Sequence, residues 1–119
     1  MSQKIPPHVQ QYLKQLDDLQ KSYAAVIAQK QSLEAQLTEI KNALEELSKA
    51  KEDTEVYKIA GSILVKVNKE DVEEDLKESK ELVETRLKVL ESQEKRLVEE
   101  IRRLNEEISK ALGVRQGQS

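Results

Sequence analysis

The chain has 119 residues, of which 36% are Asp, Glu, Lys or Arg, and carries three aromatics (all Tyr), three Gly, two Pro and a formal net charge of −3. That composition allows one domain and argues against a compact globular core. It also argues against general nucleic-acid binding, which needs a basic face to neutralise phosphates. With no cysteine, a disulfide framework and thiolate chemistry are excluded, which fits a reducing compartment. No apolar run approaches the ~18 residues of a membrane span, and the N-terminus lacks the apolar core of a signal peptide. A mean hydropathy of −0.71 with helical periodicity is the signature of coiled coil. The expectation is a cytoplasmic protein without nucleic-acid or membrane partners.

Residues 1–6 read as a short tail, and Pro7 suits the first turn of a helix, where its missing N–H costs nothing. A helix is predicted over residues 7–52. Its a positions are Val9, Leu16, Tyr23, Lys30, Leu37 and Leu44, and its d positions are Tyr12, Leu19, Val26, Leu33, Ile40 and Leu47. Eleven of those twelve are apolar, the pattern of a coiled-coil seam. Lys30 is the exception. It either sets register or snorkels its ammonium to water over an apolar stem.

The pattern is lost over residues 48–55, and residues 56–67 then supply the only β chemistry in the chain, V-Y-K-I-A-G-S-I-L-V-K-V. Gly61-Ser62 is a two-residue turn of the kind that closes a hairpin with glycine first. Pairing outward sets Ala60 against Ile63, Ile59 against Leu64, Lys58 against Val65, Tyr57 against Lys66 and Val56 against Val67. One face then carries Val56, Ala60, Ile63, Val65 and Val67, interrupted by Lys58, and the other carries Tyr57, Ile59, Leu64 and Lys66. Both faces are largely apolar, and a lone two-stranded hairpin is marginal in water. The residues expected to join subunits are therefore Val56, Tyr57, Ile59, Gly61, Ile63, Leu64, Val65 and Val67. A loop folding back on its own helices is the plainer reading.

Asn68 is a good N-cap for a second helix, predicted over residues 69–112, with Glu70 and Asp71 favouring the dipole of its first turn. Its d positions are Leu76, Val83, Leu90, Leu97, Leu104 and Ala111, and its a positions are Glu73, Lys80, Leu87, Glu94, Ile101 and Ile108. Half of the a positions are polar, so this seam is weaker and improves toward its C-terminal end. Gly113 stops the helix, and residues 113–119 are expected to be a flexible tail. Acids stand four residues before bases at Glu45/Lys49, Glu73/Lys77, Glu84/Lys88, Glu91/Lys95, Glu99/Arg103 and Glu106/Lys110, each adding ~0.2–0.5 kcal/mol of helix stability. Folding about the turn places residues whose numbers sum to 123 at one height. At ~1.5 Å per residue the antiparallel coiled coil reaches about 60 Å. The fold class is thus mainly α: a long antiparallel two-helix coiled coil joined by one β-hairpin.

Almost nothing here can carry chemistry. His8 is the only histidine and has no second ligand beside it. The acid pairs Glu45-Glu46, Glu99-Glu100 and Glu106-Glu107 have no concave site to shift their pKa values. No phosphate loop, metal-ligand spacing or nucleophile elbow is present, so neither catalytic residues nor cofactors are expected. The distal end offers Ile5, Val9 and Leu13 at one helix start and Ile108, Leu112 and Val114 at the other helix end. These residues either close the seam by simple end-packing or form an apolar patch rimmed by charge, the kind of surface that binds partners.

The order long helix, single V-Y-K-x-x-G-x-x-x-V-K hairpin (Val56, Tyr57, Lys58, Gly61, Val65, Lys66), long helix closely resembles the β-class subunit of prefoldin. The segments I-P-P-x-V-Q (Ile5, Pro6, Pro7, Val9, Gln10) and Q-K-x-x-L-E (Gln29, Lys30, Leu33, Glu34) add to the match, which covers about residues 4–113. The resemblance implies an ATP-independent cytosolic chaperone. In it, two α-class and four β-class subunits join their hairpins into β-barrels. The coiled-coil tips bind non-native client proteins and deliver them to a group II chaperonin. From the residues alone, a structural coiled-coil scaffold and a stalk or adaptor subunit of a larger complex remain open.

Overall fold

A computed structural model describes residues 5–113. The elements run α1 (Pro7–Lys49), β1 (Val56–Ala60), β2 (Ile63–Val67) and α2 (Lys69–Ala111). Pro7 occupies the first helical position of α1, as its fixed φ favours, and the Pro6 carbonyl accepts from the amides of Val9 and Gln10 at 3.0 Å. The helix stops at Lys49, three residues before the expected boundary. There the seam has run out, and Ser48 Oγ turns back onto the Glu45 carbonyl at 2.6 Å, a local bond that competes with continuing the helix. Lys69 Nζ then donates to the Ala50 carbonyl at 2.9 Å, satisfying an acceptor left over at the end of α1.

The cap of α2 is as the sequence dictates: Asn68 Oδ1 accepts from the Glu70 amide at 2.8 Å. At its far end Gly113 adopts φ +75° and donates to the Lys110 carbonyl at 3.1 Å, the left-handed termination that glycine allows. The tail expected beyond it, from residue 114, lies outside the described residues.

The chain divides into two compact units. One joins the segment of α1 ending at Lys30 to the segment of α2 beginning at Val89, and the other is Gln31–Lys88. In the first, α1 and α2 run antiparallel, with Lys30 meeting Glu94 and Gln15, Asp18, Leu19 and Ser22 sharing a concavity with Glu100. In the second, Gln36, Glu39 and Ile40 line a concavity with Leu76, Ser79, Leu82, Val83 and Arg86.

All twelve a and d positions of α1 are buried or half-buried, and so are those of α2 except Ala111. The most buried side chains are Val9, Val26, Val83, Leu87, Leu90, Leu97 and Leu104. Most of them lie on α2, the helix with more polar seam positions. A narrow stripe of leucines flanked by long Lys, Arg and Glu stems is covered more completely than a broad one.

The two strands form an antiparallel sheet of their own, with the register Val56↔Val67, Tyr57↔Lys66, Lys58↔Val65, Ile59↔Leu64 and Ala60↔Ile63. Gly61 has φ +61°, and no non-glycine residue among those described has positive φ. A positive φ at the first turn position alone is the type II′ geometry that matches strand twist.

Candidate functional site

Exposed apolar side chains occur singly along α2, at Leu82, Val89 and Val98, and are grouped in two candidate regions. The first is the hairpin. Ile59 is 75% exposed, Leu64 68% and Ile63 61%, with Tyr57 and Val65 also open to solvent. Only Val56 and Val67, at the root, are half-buried. Both strands are edges, so each also presents unpaired backbone groups. The plainer alternative, a stretch folded back on its own helices, does not occur.

At the root of the hairpin, charge is organised. Tyr57 OH donates to Glu55 Oε2 at 2.7 Å, and Lys66 Nζ donates to Glu55 Oε1 at 3.4 Å. The Tyr57 hydroxyl, then Lys66, hold the Glu55 carboxyl below its ordinary range, and donating that bond raises the Tyr57 phenol. The cluster follows from strand alternation, since residues 55 and 57 share a face and Lys66 stands opposite Tyr57. That signal is present in the sequence, but Glu55 reads there as part of a patternless polar segment. Beside the cluster lies an open concavity with Glu52, Asp53, Glu70 and Glu73 in its wall.

The second region is the start of α1 and the end of α2, which share one compact unit. Ile5, Leu13 and Leu112 are 40–51% exposed and Ile108 is half-buried. Val9 differs: it is fully buried, so this a position closes the seam and is not open surface. Val114 lies outside the described residues. His8 is exposed and stands edge-on to Tyr12 with ring centroids 6.0 Å apart.

The acid pairs have ordinary helix-surface roles. Glu45 and Glu46 face Lys49, and Arg102 bridges Glu99 and Glu106. Arg102 holds Glu99 below its ordinary range. No group of three His, Cys, Asp or Glu able to hold a metal ion occurs among the described residues, and no described helix is long and apolar enough to cross a membrane.

The seam contains one feature that the sequence leaves undecided. Lys30 is half-buried, and its Nζ meets Glu94 Oε1 at 3.0 Å. Both are a positions, and their numbers sum to 124, within one residue of the sum of 123 that marks equal height.

A family model described as prefoldin subunit matches residues 10–115. Among curated proteins, "Prefoldin subunit beta" of Thermococcus onnurineus is 46% identical over 110 residues, covering 92% of this chain and 95% of that protein. "Prefoldin subunit beta" of Archaeoglobus fulgidus is 42% identical over 114 residues, covering 96% and 98%. Among solved structures, the prefoldin beta subunit from Thermococcus strain KS-1 superposes with a TM-score of 0.85 at 42% identity, covering 93% of this chain and 97% of that one.

Proposed function

Because this chain belongs to the prefoldin subunit family, whose members are chaperone components and not enzymes, we propose that it assembles through its hairpin and holds non-native proteins at its helix ends. The observation that carries this reading is the exposure of Ile59, Ile63 and Leu64 on a two-stranded sheet with two free edges. Hairpins joined edge to edge into β-barrels remove those edges and cover both apolar faces. The partners are α-class prefoldin subunits, two with four copies of this chain.

Clients present apolar side chains of no fixed sequence. Ile5, Leu13 and Leu112 offer a matching surface on helix termini, the parts of a helix that open most readily. Ile108 and the buried Val9 contribute when that end opens, and Val114 completes the set. One such side chain gains about 1.5–3 kcal/mol on burial, too little for tight single-site binding. Several subunits holding one client convert weak contacts into avidity. Release then needs no nucleotide, and the client passes to a group II chaperonin in the cytoplasm.

The test is aggregation of a chemically denatured client, followed by light scattering, in the presence of the assembled protein and with no nucleotide added. The reading expects suppression that saturates at a fixed ratio of assembly to client. Unchanged scattering at molar excess, or suppression that requires ATP, overturns it.

A further inference from the structure

Lys30 is the one polar residue among the twelve a and d positions of α1, and its Nζ donates to Glu94 Oε1 of α2 at 3.0 Å within one compact unit. The two side chains are only 27% and 25% exposed. Among the described residues, the ion pairs of other residues run along one helix, as in Asp17–Lys21 and Glu73–Lys77, or tie the hairpin root through Glu55 and Lys66. Lys30–Glu94 therefore differs in kind: it joins α1 to α2 inside the seam.

We propose that this pair selects the partner and the register of α1. Heptads repeat, so an apolar seam alone tolerates sliding by seven residues, and a polar residue at a single core position is what removes the ambiguity. A slip of one heptad carries Lys30 to Leu87 or Ile101 and Glu94 to Tyr23 or Leu37. Either slip separates the cation from the anion and sets each against an apolar seam position, a less favourable state than the joined pair. Association between copies meets the same barrier. Two copies of α1 in parallel set Lys30 against Lys30, and two copies of α2 set Glu94 against Glu94. The arrangement that keeps the pair between copies, α1 against a second copy's α2, must open the β1–β2 hairpin. Specificity of this kind matters most where many similar helices crowd together, as in an oligomer of such subunits. It is obtained at the expense of the extra stability two leucines give.

The test uses the full chain with nitroxide labels at Ser22→Cys and Glu100→Cys, exposed residues that line one concavity; the chain has no other cysteine. Pulsed dipolar spectroscopy and native mass are read together. The parent gives one narrow distance. Lys30→Glu and Glu94→Lys each add a population displaced by about 10 Å, one heptad of rise, or a species of doubled mass. The combined reversal restores the single distance and parent mass. Lys30→Leu with Glu94→Leu raises the melting midpoint by several degrees and broadens the distance distribution. If either charge reversal folds and keeps the single distance and parent mass, the proposal fails. Should both reversals prevent folding, the leucine pair decides: a retained single narrow distance overturns the proposal, and a broadened one supports it.

Discussion

The hairpin and the helices are built from the same side chains and treat them oppositely. Leu90 and Leu97 are 7–8% exposed, whereas Leu64 is 68% exposed and Ile59 75%. A helix with one apolar stripe is completed by one other stripe, and this chain supplies two. A two-stranded sheet has two faces and two edges, and among the described residues the chain supplies a cover for neither face beyond Val56 and Val67 at the root. Covering Ile59, Ile63 and Leu64 stabilises an assembly by on the order of 5 kcal/mol per hairpin. On the proposed reading the seam accounts for stability and the hairpin for association.

That division is broken most severely at Ile63 and Val65. Replacing both with Asp should abolish assembly with α-class subunits, read as loss of the complex in native mass spectra. Far-UV helicity should stay near the parent value, because unpaired charge inside a covered sheet costs several kcal/mol whereas the helices depend on their own seam.

The converse contrast is quantitative. Leu97→Ala should destabilise the chain by about 2–3 kcal/mol in chemical denaturation, since the side chain is buried and its neighbours collapse only in part. Ile59→Ala, at an exposed position, should change the stability of the unassembled chain by less than ~0.5 kcal/mol. It should nevertheless weaken assembly.

A third region sharpens the comparison, because the helix ends should govern neither property. Leu13→Ser with Leu112→Ser should leave the mass of the complex and its melting midpoint unchanged while raising the client aggregation rate several-fold. Undiminished protection moves the client surface away from these ends.

The smallest effect concerns the hairpin root. Glu55 titrates lower when folded, through Tyr57 and then Lys66. Its contribution is therefore fully present above the ordinary glutamate pKa of ~4.3 and is lost as pH falls through the lower folded value. Glu55→Gln should remove that acid limb from the hairpin's amide chemical shifts and leave those of α2 beyond Leu76 unaffected. Because the cluster is exposed, the change belongs to local order and not to global melting.

Periodicity alone makes the seam legible. The a and d positions drawn from 3.5-residue spacing are, Ala111 apart, all buried or half-buried, and the Ala60↔Ile63 register follows from a two-residue turn with glycine first. The end of α1 is less legible. Its last turn is settled by Ser48 bonding back to Glu45 and by Lys69 reaching Ala50, contacts that no period encodes. Val9 shows the limit for the candidate site. An a position at a helix end reads equally as seam or as open surface, and packing makes it seam. Lys30 shows the opposite case. Its partner is recoverable by aligning the two heptads about the Gly61-Ser62 turn, yet a lone polar residue in one helix reads as a defect until the facing helix is considered.

The central claim, that the hairpin is completed by other subunits while the seam is complete within the chain, is tested most directly by amide hydrogen exchange. The chain is measured alone and after mixing with an α-class prefoldin subunit. The account predicts that β1 and β2 amides, above all those pointing outward from the two free edges, gain strong protection on mixing, while the amides of α1 and α2 keep the rates they had. Protection that appears along the helices, with the hairpin amides still exchanging as in the unmixed chain, would contradict it.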